Sequence, residues 1–264
     1  MSVPILILVG WLAMALVMAW LWLVQRKRHN AGIVDIAWSF GTGLLAVGFA
    51  AGTQGDPARR TLVAMLAGLW GARLGFHLLR RVLCESEDGR YQMIRQRFGD
   101  RTQVFLFWFF QIQAVWAVMF ALPMLAAASH PVVGLRWHDF AGLAVWLVAV
   151  GGEAVADRQL AGFRAQPTNL GKVCRAGLWR YSRHPNYFFE WVHWFAYIFI
   201  AWGSPWWWVT WTGVVVMLLF LTKVTGVPFT EMRALQSRGE AYREYQRTTS
   251  VFIPLPPRSG GESE

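Results

Sequence analysis

Trp191-Val-His-Trp-Phe-Ala-Tyr-Ile-Phe-Ile-Ala-Trp-Gly-Ser-Pro-Trp-Trp-Trp-Val-Thr-Trp-Thr-Gly-Val-Val-Val-Met-Leu-Leu-Phe-Leu-Thr222 contains no Asp, Glu, Lys or Arg. It is too long for one membrane-crossing helix, which needs about 20 apolar residues. Gly203-Ser204-Pro205 interrupts it, because proline lacks a backbone donor and glycine is flexible. The reading is a hairpin of two helices, its tip ringed by Trp202, Trp206, Trp207, Trp208 and Trp211 as an interfacial aromatic belt. Toward the N-terminus lie five more apolar runs: Pro4–Val24, Ile33–Gly52 with Asp35 at its start, Thr61–Leu79 with Arg73 and His77 inside, Val104–Ala128 with Gln111 and Gln113, and Phe140–Ala156 with Glu153 near its end. The expected fold is an all-α polytopic membrane protein of seven transmembrane helices.

Composition agrees. The 264 residues are 55% hydrophobic and only 15% charged, with 17 Trp, which is far too apolar for an ordinary soluble domain. Pro4–Val24 lacks a basic segment before it and a small-x-small cleavage site, so it reads as a membrane helix, not a cleaved leader. No linker divides the chain, which predicts one domain over 1–255 and a disordered tail over 256–264. All but four of the 25 basic residues fall after the first, third, fifth and seventh runs; the exceptions are Arg59, Arg60, Arg73 and Arg136. The positive-inside bias therefore places the N-terminus outside and the C-terminus in the cytosol. The net charge of +10 then reflects topology and anionic lipid. No module for nucleic-acid binding is present.

Just before the hairpin lies Gly177-Leu-Trp-Arg-Tyr-Ser-Arg-His-Pro-Asn-Tyr-Phe-Phe-Glu-Trp-Val-His-Trp194. On a helix Glu190 and His193 share a face, as do Asn186 and Glu190. Ionisable groups at membrane depth are costly and mark function by default. There is no GxGxxG opening a βαβ unit, no Walker loop, no HExxH and no nucleophile elbow. The six histidines lack metal-ligand spacing, so no metal is expected. Three Arg-rich segments on the cytosolic side either bind an anionic cofactor through guanidinium forks or only fix topology against lipid headgroups.

These residues carry a family resemblance. Asp157-Arg-Gln-Leu-Ala-Gly-Phe-Arg164, Asn169-Leu-Gly-Lys172, Gly177 to Tyr187 with Glu190, Tyr242-Arg-Glu-Tyr245, Thr248 and Phe252-Ile-Pro254 together resemble the steroid 5α-reductase family, in particular its short bacterial members. The segment Glu85 to Tyr91 resembles the acidic-then-Arg-Tyr element of that branch. The likeness covers most of the chain, strongest from Asp157 to Trp194 and weaker before Arg73. Arg-His-Pro-x-Tyr alone also recurs in isoprenylcysteine carboxyl methyltransferases and sterol C14-reductases.

The resemblance implies an NADPH-dependent reductase of a conjugated enone, typically a 3-oxo-Δ4-steroid, in a bacterial inner membrane with its cofactor side facing the cytosol. It implies a cofactor site formed by Arg73, Glu153, Asp157, Arg164, Asn169, Lys172, Tyr181, Arg183, His184, Asn186, Glu190, Lys223 and Tyr245. Its partners would be a hydrophobic small molecule and membrane lipid. Enone reduction delivers hydride to the β-carbon and needs a donor for the developing enolate oxygen. A carboxylic acid kept neutral by an apolar site can be that donor, and Asp35 is the leading candidate. The family's partner tyrosine on the third helix aligns with Trp70, so either another group, Tyr91 or His193, completes the pair or the substrate differs. Catalytic candidates are thus Asp35, Tyr91, Glu190 and His193. Phe189 replaces a common glycine; its ring either narrows the approach to the nicotinamide or faces lipid. Glu153 and Asp157, one turn apart, repel unless one keeps its proton or a cation intervenes. The competing reading is an S-adenosylmethionine-dependent membrane methyltransferase of the isoprenylcysteine carboxyl methyltransferase type.

Overall fold

The computed structural model describes residues 1–84 and 86–258. Its principal helices are α1 Val3–Arg28, α2 Ile33–Gly52, α3 Pro57–Cys84, α4 Gly89–Phe98, α5 Thr102–Ala128, α6 Trp137–Ala165, α7 Pro185–His193, α8 Phe195–Ile200, α9 Thr210–Leu219, α10 Val227–Arg238 and α11 Glu240–Thr248. No strand occurs among the described residues. Among the described residues, six stretches are long and apolar enough to cross a membrane: α1, α2, α3, Gly89–Ala128, α6 and Trp207–Arg238. This is the architecture of a multi-pass helical membrane protein. The expected helix from Trp191 is the exception. It is built as α7 and α8, with Trp194 between them, because the apolar run is preceded by the polar Arg-His-Pro-Asn segment and closed by the turn at Gly203, whose φ is +82°. Neither piece alone reaches spanning length.

The chain divides into two compact units: Met1–Phe140 with Tyr197–Gly213, and Ala141–Ala196 with Val214 onward. In the first unit, α2 and α3 approach closely at glycines. A Cβ on Gly71 would lie 2.9 Å from the Gly43 Cα and from the Ser39 carbonyl oxygen. The small residues Gly41, Gly43, Gly68, Gly71 and Gly75 of these two helices thus serve packing within the chain; one on Gly41 would meet Met14, and one on Gly75 the Phe40 ring. Trp38 stands edge-on to both Trp70 and Phe120 at 6.2 and 5.3 Å. Trp70 is therefore a core packing residue, with 0% exposure. Gln111 donates to the Ala15 carbonyl, tying α5 to α1.

One end of this unit is closed by a buried polar cluster. Arg59 holds Asp139 bidentately at 2.7 and 2.8 Å and donates to the Val132 and Gly134 carbonyls. Both side chains are fully buried. Hydrogen bonds from the Gly134 and Arg59 amides hold the neighbouring Asp56 carboxyl below its usual range. Nearby, His130 bonds the Trp202 carbonyl and stacks on His138.

In the second unit the C-terminal segment is laced onto the start of α7. Arg183 N donates to the Ser250 carbonyl, Ser182 Oγ to that of Phe252, and Leu255 N to that of Tyr181. Phe252 packs edge-on against Phe188. Trp179 Nε1 donates to the Ala156 carbonyl of α6, and Leu178 N to Gln159 Oε1. Gly177 takes a φ of +59° against that Gln159 side chain, a position that requires glycine. Of the tail expected from 256, Arg258 N bonds the Thr248 carbonyl; residues 259–264 lie outside the described residues.

Candidate functional site

Two constellations gather the polar residues singled out by sequence. The first stands where α2 begins. Tyr91 Oη donates to Asp35 Oδ1 at 2.8 Å, and Arg90 Nη2 donates to Asp35 Oδ2 at 2.8 Å. Asp88 caps α4 by accepting from the Arg90 amide and also binds the Arg81 and Arg90 guanidiniums. Glu87 accepts from the Ala31 amide and from Arg95, which ties this segment to the entry of α2. A small pocket opens here, lined by Asn30, Gly32, Asp35, Leu78, Arg81, Val82, Ser86 and Asp88. Glu85 lies outside the described residues. Of the two partners expected for Asp35, Tyr91 is thus the one in contact with it. Both Asp35 oxygens are engaged, one with the Tyr91 hydroxyl and one with the Arg90 guanidinium.

The second constellation lies on α6, α7, α10 and α11. Asn186 Nδ2 donates to Asp157 Oδ1 at 3.1 Å, and Asn186 Oδ1 accepts from the Tyr187 amide. Glu190 and His193 follow on α7, 8% and 1% exposed. Glu153 is also buried, one turn before Asp157 on α6. Phe189 lays its ring on Gly152, where a Cβ would come within 2.5 Å of the ring, so this bulky residue is accommodated by a glycine.

At the entry of α7, Arg183 Nε binds Glu231 Oε1 at 2.6 Å, and His184 Nε2 faces the same oxygen at 3.3 Å. Gln246 donates to the other Glu231 oxygen. Arg183 Nη1 bonds the Gln246 and Thr249 carbonyls. The Tyr187 ring stacks on His184, 5.4 Å away and 4° from parallel, and its hydroxyl meets Thr230. Burial lowers the His184 imidazole below its ordinary value, against the pull of Glu231.

Several expected cofactor residues have internal duties. Much of the Arg183 guanidinium is committed to Glu231 and two carbonyls. Tyr245 is buried and donates to the Trp179 and Ser182 carbonyls, bracing the turn before α7. Asn169 Nδ2 bonds the Phe163 carbonyl and Gln166, closing the loop after α6. The Tyr181 carbonyl pairs with the Leu255 amide while its side chain is exposed. Arg164, Lys172 and Lys223 are exposed, and Arg73 is half-buried on α3. Lys223 sits in a π-helical segment, Phe220–Val224, that continues α9; such segments recur at functional sites. Sequence reasoning missed Glu231, Gln246, Asp88 and Arg90. For Glu231, 47 residues beyond His184, no local pattern gives a signal; for Arg90, its place beside Tyr91 does.

Neither the curated proteins nor the solved structures gave a match to this chain. One family model matches, over residues 21–249, described as a protein of unknown function, DUF1295. With most of its length matched, the chain belongs to the DUF1295 family.

Proposed function

We propose that this protein is an integral-membrane NADPH-dependent reductase of a conjugated enone, of the steroid 5α-reductase type. The observation that carries the reading is the file of polar side chains on α7: Asn186 paired with Asp157, then buried Glu190 and His193 on the helix that leads into an apolar run. Buried ionisable groups in such a place are costly to retain without a task. The resemblance of Asp157–Trp194 to the reductases supplies the reaction class.

The residues suit a dinucleotide. Beyond its bonds to Asp157 and the Tyr187 amide, Asn186 keeps a second amide hydrogen and a second oxygen lone pair, and the buried Glu190 adds a carboxyl, which together match what a carboxamide needs. Exposed Arg164, Lys172 and Lys223 carry the charge that phosphates require, whereas Arg183 shapes the site by anchoring Glu231. NADPH would supply the hydride; the chain supplies position and electrostatics. Asp35 and Tyr91 are the candidate pair for the substrate oxygen, beside a small pocket whose wall holds Arg81 and Asp88 as well as Leu78 and Val82. In this reading the chain crosses the membrane seven times, α7 and α8 together making the sixth crossing, with the C-terminus and cofactor side in the cytosol of a bacterial inner membrane. Loop charge supports that orientation. The methyltransferase alternative shares Arg-His-Pro-x-Tyr but matches Asp157–Lys172 less well.

The test is incubation of the purified protein with NADPH and a panel of steroid and non-steroid enones, following absorbance and product mass. Enone-dependent NADPH oxidation giving a product heavier by two hydrogens is expected, and it is lost in Glu190→Ala. Unchanged turnover by purified Glu190→Ala enzyme would sink that residue's assignment.

A further inference from the structure

We infer that His130 is an acid-sensitive latch: its neutral ring joins the loop between α5 and α6 to the turn after α8, and a proton on that ring releases the join. Both ring nitrogens are in use. Nε2 lies 2.9 Å from the Trp202 carbonyl, which can only accept, and Nδ1 lies 3.3 Å from the Val132 amide, which can only donate. One nitrogen must therefore carry a hydrogen and the other a lone pair, a combination that only the neutral imidazole offers. The imidazolium has two N–H groups, so its Nδ1 hydrogen would meet the Val132 amide hydrogen head-on. A ring that turns away from Val132 takes Nε2 off the Trp202 carbonyl as well.

The surroundings oppose a charge on this ring. His138 at the start of α6 stacks on it at 5.7 Å, 11° from parallel, and Arg59 of α3 brings a full positive charge to the same cluster. The carboxylates there are Asp139 and Asp56. Asp139 holds Arg59 with both oxygens and also accepts from the Arg136 amide, and Asp56 accepts from the Arg59 and Gly134 amides. Burial, and after it the Arg59 charge and the second imidazole, holds the His130 ring below its ordinary value of 6.5, against the pull of the Trp202 carbonyl. The latch is thus shut at neutral pH and opens as pH falls through a value below 6.5. The other anchors of the loop ignore this change. Arg59 grips the Val132 and Gly134 carbonyls, and the Asp56 amide grips the His130 carbonyl. None of those donors titrates between about pH 5 and 8. Acid therefore frees the ring's own two bonds and leaves the loop otherwise anchored. In the orientation proposed above this end faces outside, and the latch answers to acidity there.

Nitrogen-15 spectra of histidine-labelled protein in detergent read the tautomer, with His130→Gln identifying the signal. A neutral ring protonated at Nε2 is expected at neutral pH, with the second proton arriving below pH 6.5. Over the same fall in pH, hydrogen-exchange protection of the segment holding Val132, corrected for the intrinsic rate, drops by roughly tenfold, the scale of one hydrogen bond. His130→Gln keeps a donor and an acceptor that do not titrate, so its protection stays level with pH. His130→Phe keeps a flat ring without either bond, so its protection is low at every pH. A ring protonated at Nδ1 at neutral pH would overturn the assignment. So would protection that ignores the ring's titration, or an acid loss that persists in His130→Gln. Solubilised protein has no sides, so these readouts decide the latch independently of the membrane orientation.

Discussion

Arg59–Asp139 and Arg183–Glu231 are both arginine–carboxylate pairs brought together from distant parts of the chain, yet they are finished differently. Arg59 meets its carboxylate with two bonds, two loop carbonyls take the rest of its reach, and neither side chain is exposed. Arg183 meets Glu231 at one oxygen, shares that oxygen with His184, and stays 10% exposed while Glu231 stays 15% exposed. The first pair joins the starts of α3 and α6, and the surrounding loop carbonyls close it off. The second is a hub whose partners include an imidazole and whose neighbour along α7 is the Asn186–Asp157 bond. Saturated burial makes architecture, and partial burial with a titratable third group leaves room for chemistry.

The sharpest way to break the comparison is to remove one partner from each pair. Asp139→Asn strands a buried guanidinium and is expected to cost about 3–5 kcal/mol, the range for breaking a buried pair. It should appear as a large fall in the thermal midpoint in detergent, with no selective effect on cofactor binding. Glu231→Gln keeps the shape and removes the charge at a partly exposed site, and about 1.5–3 kcal/mol is expected, as for hydrogen bonds to charged groups. Its mark is a loss of NADPH-dependent thermal stabilisation larger than the loss of intrinsic stability, because the start of α7 loses its anchor. Equal intrinsic losses in the two variants would remove the distinction drawn here.

A smaller effect follows from His184. Its folded imidazole binds protons less readily than the unfolded one, whose ordinary value is 6.5. Above that value both states are neutral and the group is silent. As pH falls below it, the unfolded chain gains the proton first, so stability is lost until the folded imidazole also titrates. The thermal midpoint is expected to decline below about pH 6.5, and His184→Gln to flatten that part of the curve. A curve unchanged by the substitution would show that His184 is not the sensor.

Much of the helical framework was legible because it rests on local signals. The apolar run Ile33–Gly52 became α2 with those same ends, and the Gly203-Ser204-Pro205 break became a turn. The glycines of α2 and α3 were visible as small residues, although only the structure shows that Gly43 and Gly71 meet each other. The sixth helix was overestimated because hydropathy ignores where a helix must begin: Pro185 opens α7 deep in a polar motif, and Trp194 ends it early. The candidate site was legible residue by residue, and Asp35 with Tyr91 was the pairing anticipated. Asp35, Tyr91, Asn186 and Asp157 were all named, but Arg59–Asp139 and Arg183–Glu231 join residues whose separation carries no periodicity. Tyr245 and Arg183, named as cofactor residues, also brace the entry to α7 through Trp179, Ser182 and Glu231, contacts that no sequence spacing signals.

The central claim, a nicotinamide-type cofactor site on the Asn186–Glu190 helix, meets its most direct test in ligand-dependent thermal stability. A ligand at about 100 times its Kd stabilises the folded state by roughly 2.7 kcal/mol. NADPH is expected to raise the thermal midpoint of the purified protein, S-adenosylmethionine to leave it unchanged, and Asn186→Ala to abolish the NADPH effect. Stabilisation by S-adenosylmethionine and none by NADPH would contradict the account.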